Sequence, residues 1–99
     1  MTSKQRAYLK GLAMNIVPVF QIGKSSLTPE ITQAVDEALE ARELIKITVL
    51  KNCLHDGRSI AEVLAERTHS QVVQVIGRKI VLYRPAKDET KRKIVLPEK

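Results

Sequence analysis

Two runs of β-forming residues, Val72-Val73-Gln74-Val75-Ile76 and Lys79-Ile80-Val81-Leu82-Tyr83, are separated by Gly77 and Arg78 alone. A two-residue link joins strands as a tight antiparallel hairpin, with glycine at the first turn position supplying the required backbone. That hairpin fixes the end of the fold, and the upstream pattern must supply what packs on it. Thr2-Ser3-Lys4-Gln5 fits a capping box and predicts a helix over 3–13, with Tyr8, Leu9 and Leu12 on one face and Arg6 and Lys10 on the other. Asn15 stops it. Ile16–Ile22 reads as a strand with an edge or bulge at Pro18, which has no N–H to donate.

After the loop Gly23-Lys24-Ser25-Ser26-Leu27, Thr28 is an N-cap and Pro29 a first helical residue. Ile31, Ala34, Val35, Ala38 and Leu39 repeat at helical spacing to about Arg42, with the acidic residues on an opposite, solvated face. Leu44–Leu50 alternates as a strand, residues 52–57 connect, and Ile60, Ala61, Val63, Leu64 and Ala65 mark a third helix ending near Thr68. The order α-β-α-β-α-β-β predicts an α/β fold, a mixed four-stranded sheet with helices packed on it: parallel pairing across the helices, antiparallel within the hairpin.

Ninety-nine residues suffice for one small core and leave little room for a deep catalytic cleft. The expected division is a domain over 1–86 and a basic flexible tail over 87–99. Lys91-Arg92-Lys93 is the tail's centre, and Ile94-Val95-Leu96-Pro97 is apolar enough to dock transiently. No apolar run approaches the roughly 20 residues that span a bilayer, and the N-terminus lacks the apolar stretch of a secretory signal. Cys53 is the single cysteine, so the expectation is a cytoplasmic chain with no disulfide.

Charge says more about partners. Lys and Arg number 17 against 11 Asp and Glu, a net charge of +6. Residues 28–44 carry five acids and one base, a net −4, so the other residues carry +10. A basic remainder of this kind suits a polyanion. Gly23-Lys24-Ser25 after a strand and before a helix invites comparison with a P-loop, but that pattern needs glycine where Pro18 stands. The loop still brings backbone N–H groups, an ammonium and two hydroxyls to a helix N-terminus, all suited to phosphate oxygen. His55 and His69 are isolated, and no metal, cofactor or catalytic centre is suggested, so the chain is expected not to be an enzyme. Three aromatics, Tyr8, Phe20 and Tyr83, make a poor platform for stacking bases, with Tyr8 and Phe20 expected in the core. Recognition of folded RNA through its backbone suits the composition better.

Leu9-Lys10-Gly11-Leu12-Ala13, Ile22-Gly23-Lys24, Glu43-Leu44-Ile45-Lys46-Ile47, the run from Val73 to Pro85 and Lys93-Ile94-Val95-Leu96-Pro97 together resemble the bacterial YhbY-type proteins, each a single CRM domain (chloroplast RNA splicing and ribosome maturation). The resemblance implies a fold similar to the C-terminal domain of translation initiation factor three. It also implies RNA binding, with ribosomal RNA and large-subunit precursor particles as partners and a role in ribosome assembly. The family's GxxG loop corresponds to Gly23, Lys24, Ser25 and Ser26, where Ser26 replaces the second glycine. The expected RNA-binding residues are these four, with Arg6, Lys10, Arg78 and Arg84 extending the basic surface. The chain is expected to be a monomer, with no membrane or small-molecule partner. Two other readings stand beside this one: a regulatory module docking a protein through the acidic second helix, and a general nucleic-acid-binding protein.

Overall fold

In the computed structural model, which describes residues 1–98, the capping box at the N-terminus is formed. Thr2 Oγ1 accepts from Gln5 N at 3.1 Å, and Gln5 Oε1 accepts from Thr2 N at 3.0 Å. Helix α1 (Ser3–Ala13) follows, then β1 (Phe20–Ile22), α2 (Pro29–Arg42), β2 (Leu44–Val49), α3 (Gly57–Thr68), β3 (Gln71–Ile76), β4 (Lys79–Tyr83) and a 3₁₀ turn (Glu89–Lys91). The order and the α/β class match the sequence reading.

The first strand is shorter than predicted. Pairing begins after Pro18, where Val19 N donates to Lys46 O at 2.9 Å, and the ladder proper runs from Phe20. The third helix begins earlier than predicted, because Asp56 caps it by accepting from Ser59 N at 2.8 Å.

The strands lie in the order β1-β2-β4-β3. β1 pairs parallel to β2, β2 antiparallel to β4 and β4 antiparallel to β3, with a bulge between Val72 and Gln74. Strand alternation sorts the sheet into two faces. Ile45, Ile47, Val49, Ile80 and Leu82 pack with Ile22 against Val35 and Leu39 of α2 and Ile60, Ala61 and Leu64 of α3. On the other face Leu44, Val73, Val81 and Tyr83 pack against Leu9 and Ala13 of α1. Tyr8, expected in the core, is exposed, because α1 presents Leu9 and Ala13 to the sheet. Gly57 opens α3 directly over the hairpin turn: a Cβ there would lie 2.8 Å from Gly77 O, so the helix can start at this place only with glycine. Gly77 itself takes φ +56, as the two-residue turn requires.

The segment after β4 is not the free tail the sequence suggested. Ile94 and Leu96 pack onto the α1 side of the sheet. Glu43, fully buried at the C-terminus of α2, accepts Ala86 N at 2.8 Å through Oε2, and Lys93 N at 2.6 Å and Ile94 N at 2.9 Å through Oε1. Glu40 accepts Lys87 N at 2.8 Å and Asp88 N at 3.0 Å, and Pro97 O accepts from Gln5 Nε2 at 3.0 Å. Carboxylates at the end of α2 thus satisfy a stretch of backbone that has no ladder of its own. Lys99 of the expected tail lies outside the described residues.

Candidate functional site

The topology brings three connections to one end of the sheet. β1 and β2 run in parallel and end at Ile22 and Val49, and the β3–β4 turn lies beside them, since Thr48 pairs with Lys79. The loops 23–28 and 50–56 and the turn Gly77-Arg78 therefore converge. Leu50 N donates to Ile22 O and Val49 N to Arg78 O, tying the three together.

Lys24 and Ser25 stand exposed at the tip of the first loop. Ser26 closes the turn, donating its N–H to Gly23 O at 2.9 Å. It takes φ +54, the left-handed backbone that glycine adopts at least cost. Serine therefore holds the conformation expected of the family's second glycine. Its hydroxyl lies 3.0 Å from Nδ1 of His55, and the Cys53 thiol donates to it at 3.9 Å, so His55, expected to be isolated, is fastened to the loop. Gly23 is wedged against the neighbouring loop: a Cβ there would meet Asn52 Oδ1 at 3.2 Å and Leu50 Cδ1 at 3.4 Å.

Around this loop stand further cations that the sequence reading did not single out. Lys51 and Arg58 are exposed on the second loop and the start of α3, and Lys79 lies beside Arg78. Asp56 is a carboxylate of this end, with Glu30 in the first turn of α2. The pKa of Asp56 is held below the ordinary value by the Ser59 backbone N–H and then by the Ser59 hydroxyl, so it stays ionised as a helix cap. Among the described residues both ion pairs belong to Arg84, at the far end of the sheet, so Lys24, Lys51, Arg58, Arg78 and Lys79 are left unpaired. Five unpaired cations around a backbone turn at one end make a cationic rim of the sign that suits anions.

The remaining candidates fall elsewhere. Lys10 is exposed on α1 and borders a groove between that helix and the sheet. Arg6 is half-buried, and its Nη1 donates to Val72 O at 2.6 Å and Val73 O at 3.0 Å, across the β3 bulge. Arg84 does not extend the surface: it is 5% exposed. Its guanidinium is ion-paired to Asp36 and to Glu40, and it donates to Thr68 O at 2.9 Å. A charge read from the strand's end as solvent-facing is instead neutralised inside, by the helix whose acids were expected to face water. Glu40 is held ionised chiefly by the Asp88 and Lys87 N–H groups, against a cost of burial that exceeds what Arg84 or Lys91 adds. For Glu43 burial is the largest influence and raises its pKa, but the Lys93, Ile94 and Ala86 N–H groups together outweigh it and leave the value lowered. Three of the five acids of residues 28–44 therefore serve internal contacts, and the acidic helix offers a docking partner little charge.

The sequence profile of the CRS1/YhbY (CRM) domain matches residues 1–84. A Bacillus subtilis protein named "Probable RNA-binding protein YqeI" is 43% identical over 97 residues, covering 98% of this chain and 99% of that one. A Haemophilus influenzae protein named "RNA-binding protein" is 35% identical over 99 residues, covering 100% and 97%. The solution structure of the Staphylococcus aureus protein SAV1595, put forward as an RNA-binding protein, superposes with a TM-score of 0.77 at 46% identity, over 98% of this chain and 99% of that one.

Proposed function

The chain belongs to the CRS1/YhbY (CRM) domain family, and on that premise we propose that it binds RNA without catalysis and assists assembly of the large ribosomal subunit. The carrying observation is the unpaired cationic rim, Lys24, Lys51, Arg58, Arg78 and Lys79, set around the Gly23–Ser26 turn. In this reading the Gly23 backbone, Lys24, Ser25 and Ser26 receive phosphates, the other cations follow the strand, and Lys10 adds a charge from α1. Ser26 supports the role in an unexpected way: it holds the left-handed backbone that glycine adopts at least cost, while adding a hydroxyl.

Affinity for RNA measured across salt concentrations tests the electrostatic part. Each neutralised phosphate contributes a slope of about −0.7 to −0.9 in log affinity against log salt, so five contacts give about −3.5 to −4.5. A slope near zero overturns the reading. Crosslinking in cells followed by sequencing of the bound RNA tests the assembly role. Reads concentrated in large-subunit ribosomal RNA are expected, and reads spread over messenger RNA with no such concentration refute it.

A further inference from the structure

Helix α1 covers only part of its sheet face. Leu44, Val73, Val81 and Tyr83 lie under it and under Ile94 and Leu96. Helix α1 ends at Ala13 and Ile16 still packs on this face, which continues open toward the loop end through Lys46, Thr48, Gln74, Ile76 and Lys79. The bulge at Val72–Gln74 helps to make this surface, since it turns both Val73 and Gln74 toward α1, opposite Val81.

The uncovered part is a groove of about 530 Å³, with Val81 and Thr48 in its floor and Ile76 on its wall. A second groove of about 570 Å³ runs from it under α1, sharing Lys46, Gln74 and Ile76 and reaching Met14 and Lys10. Ile76 is 63% exposed and Met14 82%, and both border these adjoining grooves. The rim is cationic: Lys46, Lys51, Arg78 and Lys79 border the first groove and Lys10 the second, and neither is lined by an acid. Arg78 and Leu50 also line the hollow beside His55, so the groove adjoins the phosphate-binding end without a break.

An apolar trough edged by cations and continuous with a phosphate site has the chemistry of a nucleotide turned inside out: a flat apolar ring below, a phosphate above. We infer that the open sheet face holds one or two unpaired bases of single-stranded RNA whose phosphates continue onto the Lys24–Arg78 rim, an inference that rests on the RNA-binding reading. The bases lie against Ile76, Met14 and the Lys46 stem. The Gln74 amide, donor and acceptor at once, and the Thr48 hydroxyl meet base edges. Contact through the ring faces is tolerant of sequence, because every base has such a face, so the site selects unpaired over paired RNA more than one base over another.

The test uses the full chain with two RNAs, a fully paired hairpin and the same hairpin carrying a three-nucleotide unpaired segment. The parent protein is expected to bind the interrupted hairpin about tenfold more tightly. The double variant Gln74→Ala, Ile76→Ser, at a half-buried and an exposed position, is expected to bind both RNAs as the parent binds the paired one. With 4-thiouridine in the unpaired segment, crosslinks are expected on the peptide around Gln74–Ile76. Equal binding of both RNAs by the parent, or a preference that survives the double variant, overturns the groove while leaving RNA binding standing. Binding of neither RNA overturns the RNA reading itself. A dimer that forms with rising concentration and is abolished by Ile76→Ser also overturns the inference, because a second copy of the chain then occupies the face.

Discussion

Replacing Glu43 by Gln tests whether the C-terminal segment is structural. Oε1 of Glu43 accepts two N–H groups, from Lys93 and Ile94, and Oε2 accepts one, from Ala86, a fully buried residue. A glutamine of the same shape keeps the first two by turning its oxygen toward them, and then its NH₂ faces the Ala86 N–H, donor against donor. One charge-assisted bond is lost and a buried donor is left unsatisfied, so the expected loss is about 2–3 kcal/mol. At about 4–8 °C per kcal/mol for a domain of this size, Tm should fall by about 10–20 °C. The pH dependence adds a signed check. The folded-state pKa of Glu43 lies below its ordinary value. Its contribution is therefore complete above the unfolded-state pKa of about 4.3 and is lost as pH falls through the folded-state value. Urea unfolding followed by circular dichroism at a series of pH values should show parent and variant converging below about pH 4, as the parent's carboxyl is protonated and comes to resemble the amide. A variant as stable as the parent at pH 7, or a gap that widens on acidification, refutes the account.

Arg84→Met should lower stability by about 2–3 kcal/mol in denaturant titrations, since it strands Asp36 and Glu40 beside a buried pocket, although the partial exposure of both acids softens the cost. Its salt slope for RNA should match the parent's, and a changed slope would return Arg84 to the binding surface. Ser26→Gly should be about 1 kcal/mol more stable in thermal melts than Ser26→Ala, because both lose the hydroxyl and only alanine keeps the strained left-handed backbone; equal stability would deny that strain. Lys24→Glu should leave Tm unchanged, being exposed near the positive end of α2, while weakening RNA binding about tenfold or more and flattening the salt slope by about one contact. Unaltered affinity would reduce the loop to a simple turn.

The elements were legible wherever a local rule decides them. The Thr2 capping box, Thr28 before Pro29 and the two-residue Gly77-Arg78 link each act within four residues, and each is realised. What escaped the sequence acts over distance. Arg84 meets Asp36 across 48 positions, and Glu43 meets Ile94 across 51, so a buried cation read as surface and a docked segment read as a tail are one error: internal partners are invisible along the chain. At the site, Lys24 and the Ser26 departure were visible as a motif, whereas Lys51, Arg58 and Lys79 join it only through the sheet order. Lys46 left a readable trace. Its alternation with Ile45 and Ile47 sets it on the opposite face, the one α1 leaves partly bare.

Arg6 was expected to reach RNA, and its grip on the Val72 and Val73 carbonyls has another consequence. β3 is one margin of the sheet and β1 the other. An open margin is a row of unsatisfied donors and acceptors that any extended peptide can join, which is how soluble sheets come to add strands and grow into aggregates. On β3 a bulge breaks the row's regularity, and a guanidinium sits on the two carbonyls beside it. On β1 the row is three residues long and starts just beyond a proline that has no hydrogen to offer. Both margins are thus poor templates for an added strand, so the sheet is guarded against growth through its edges even where one broad face stands bare.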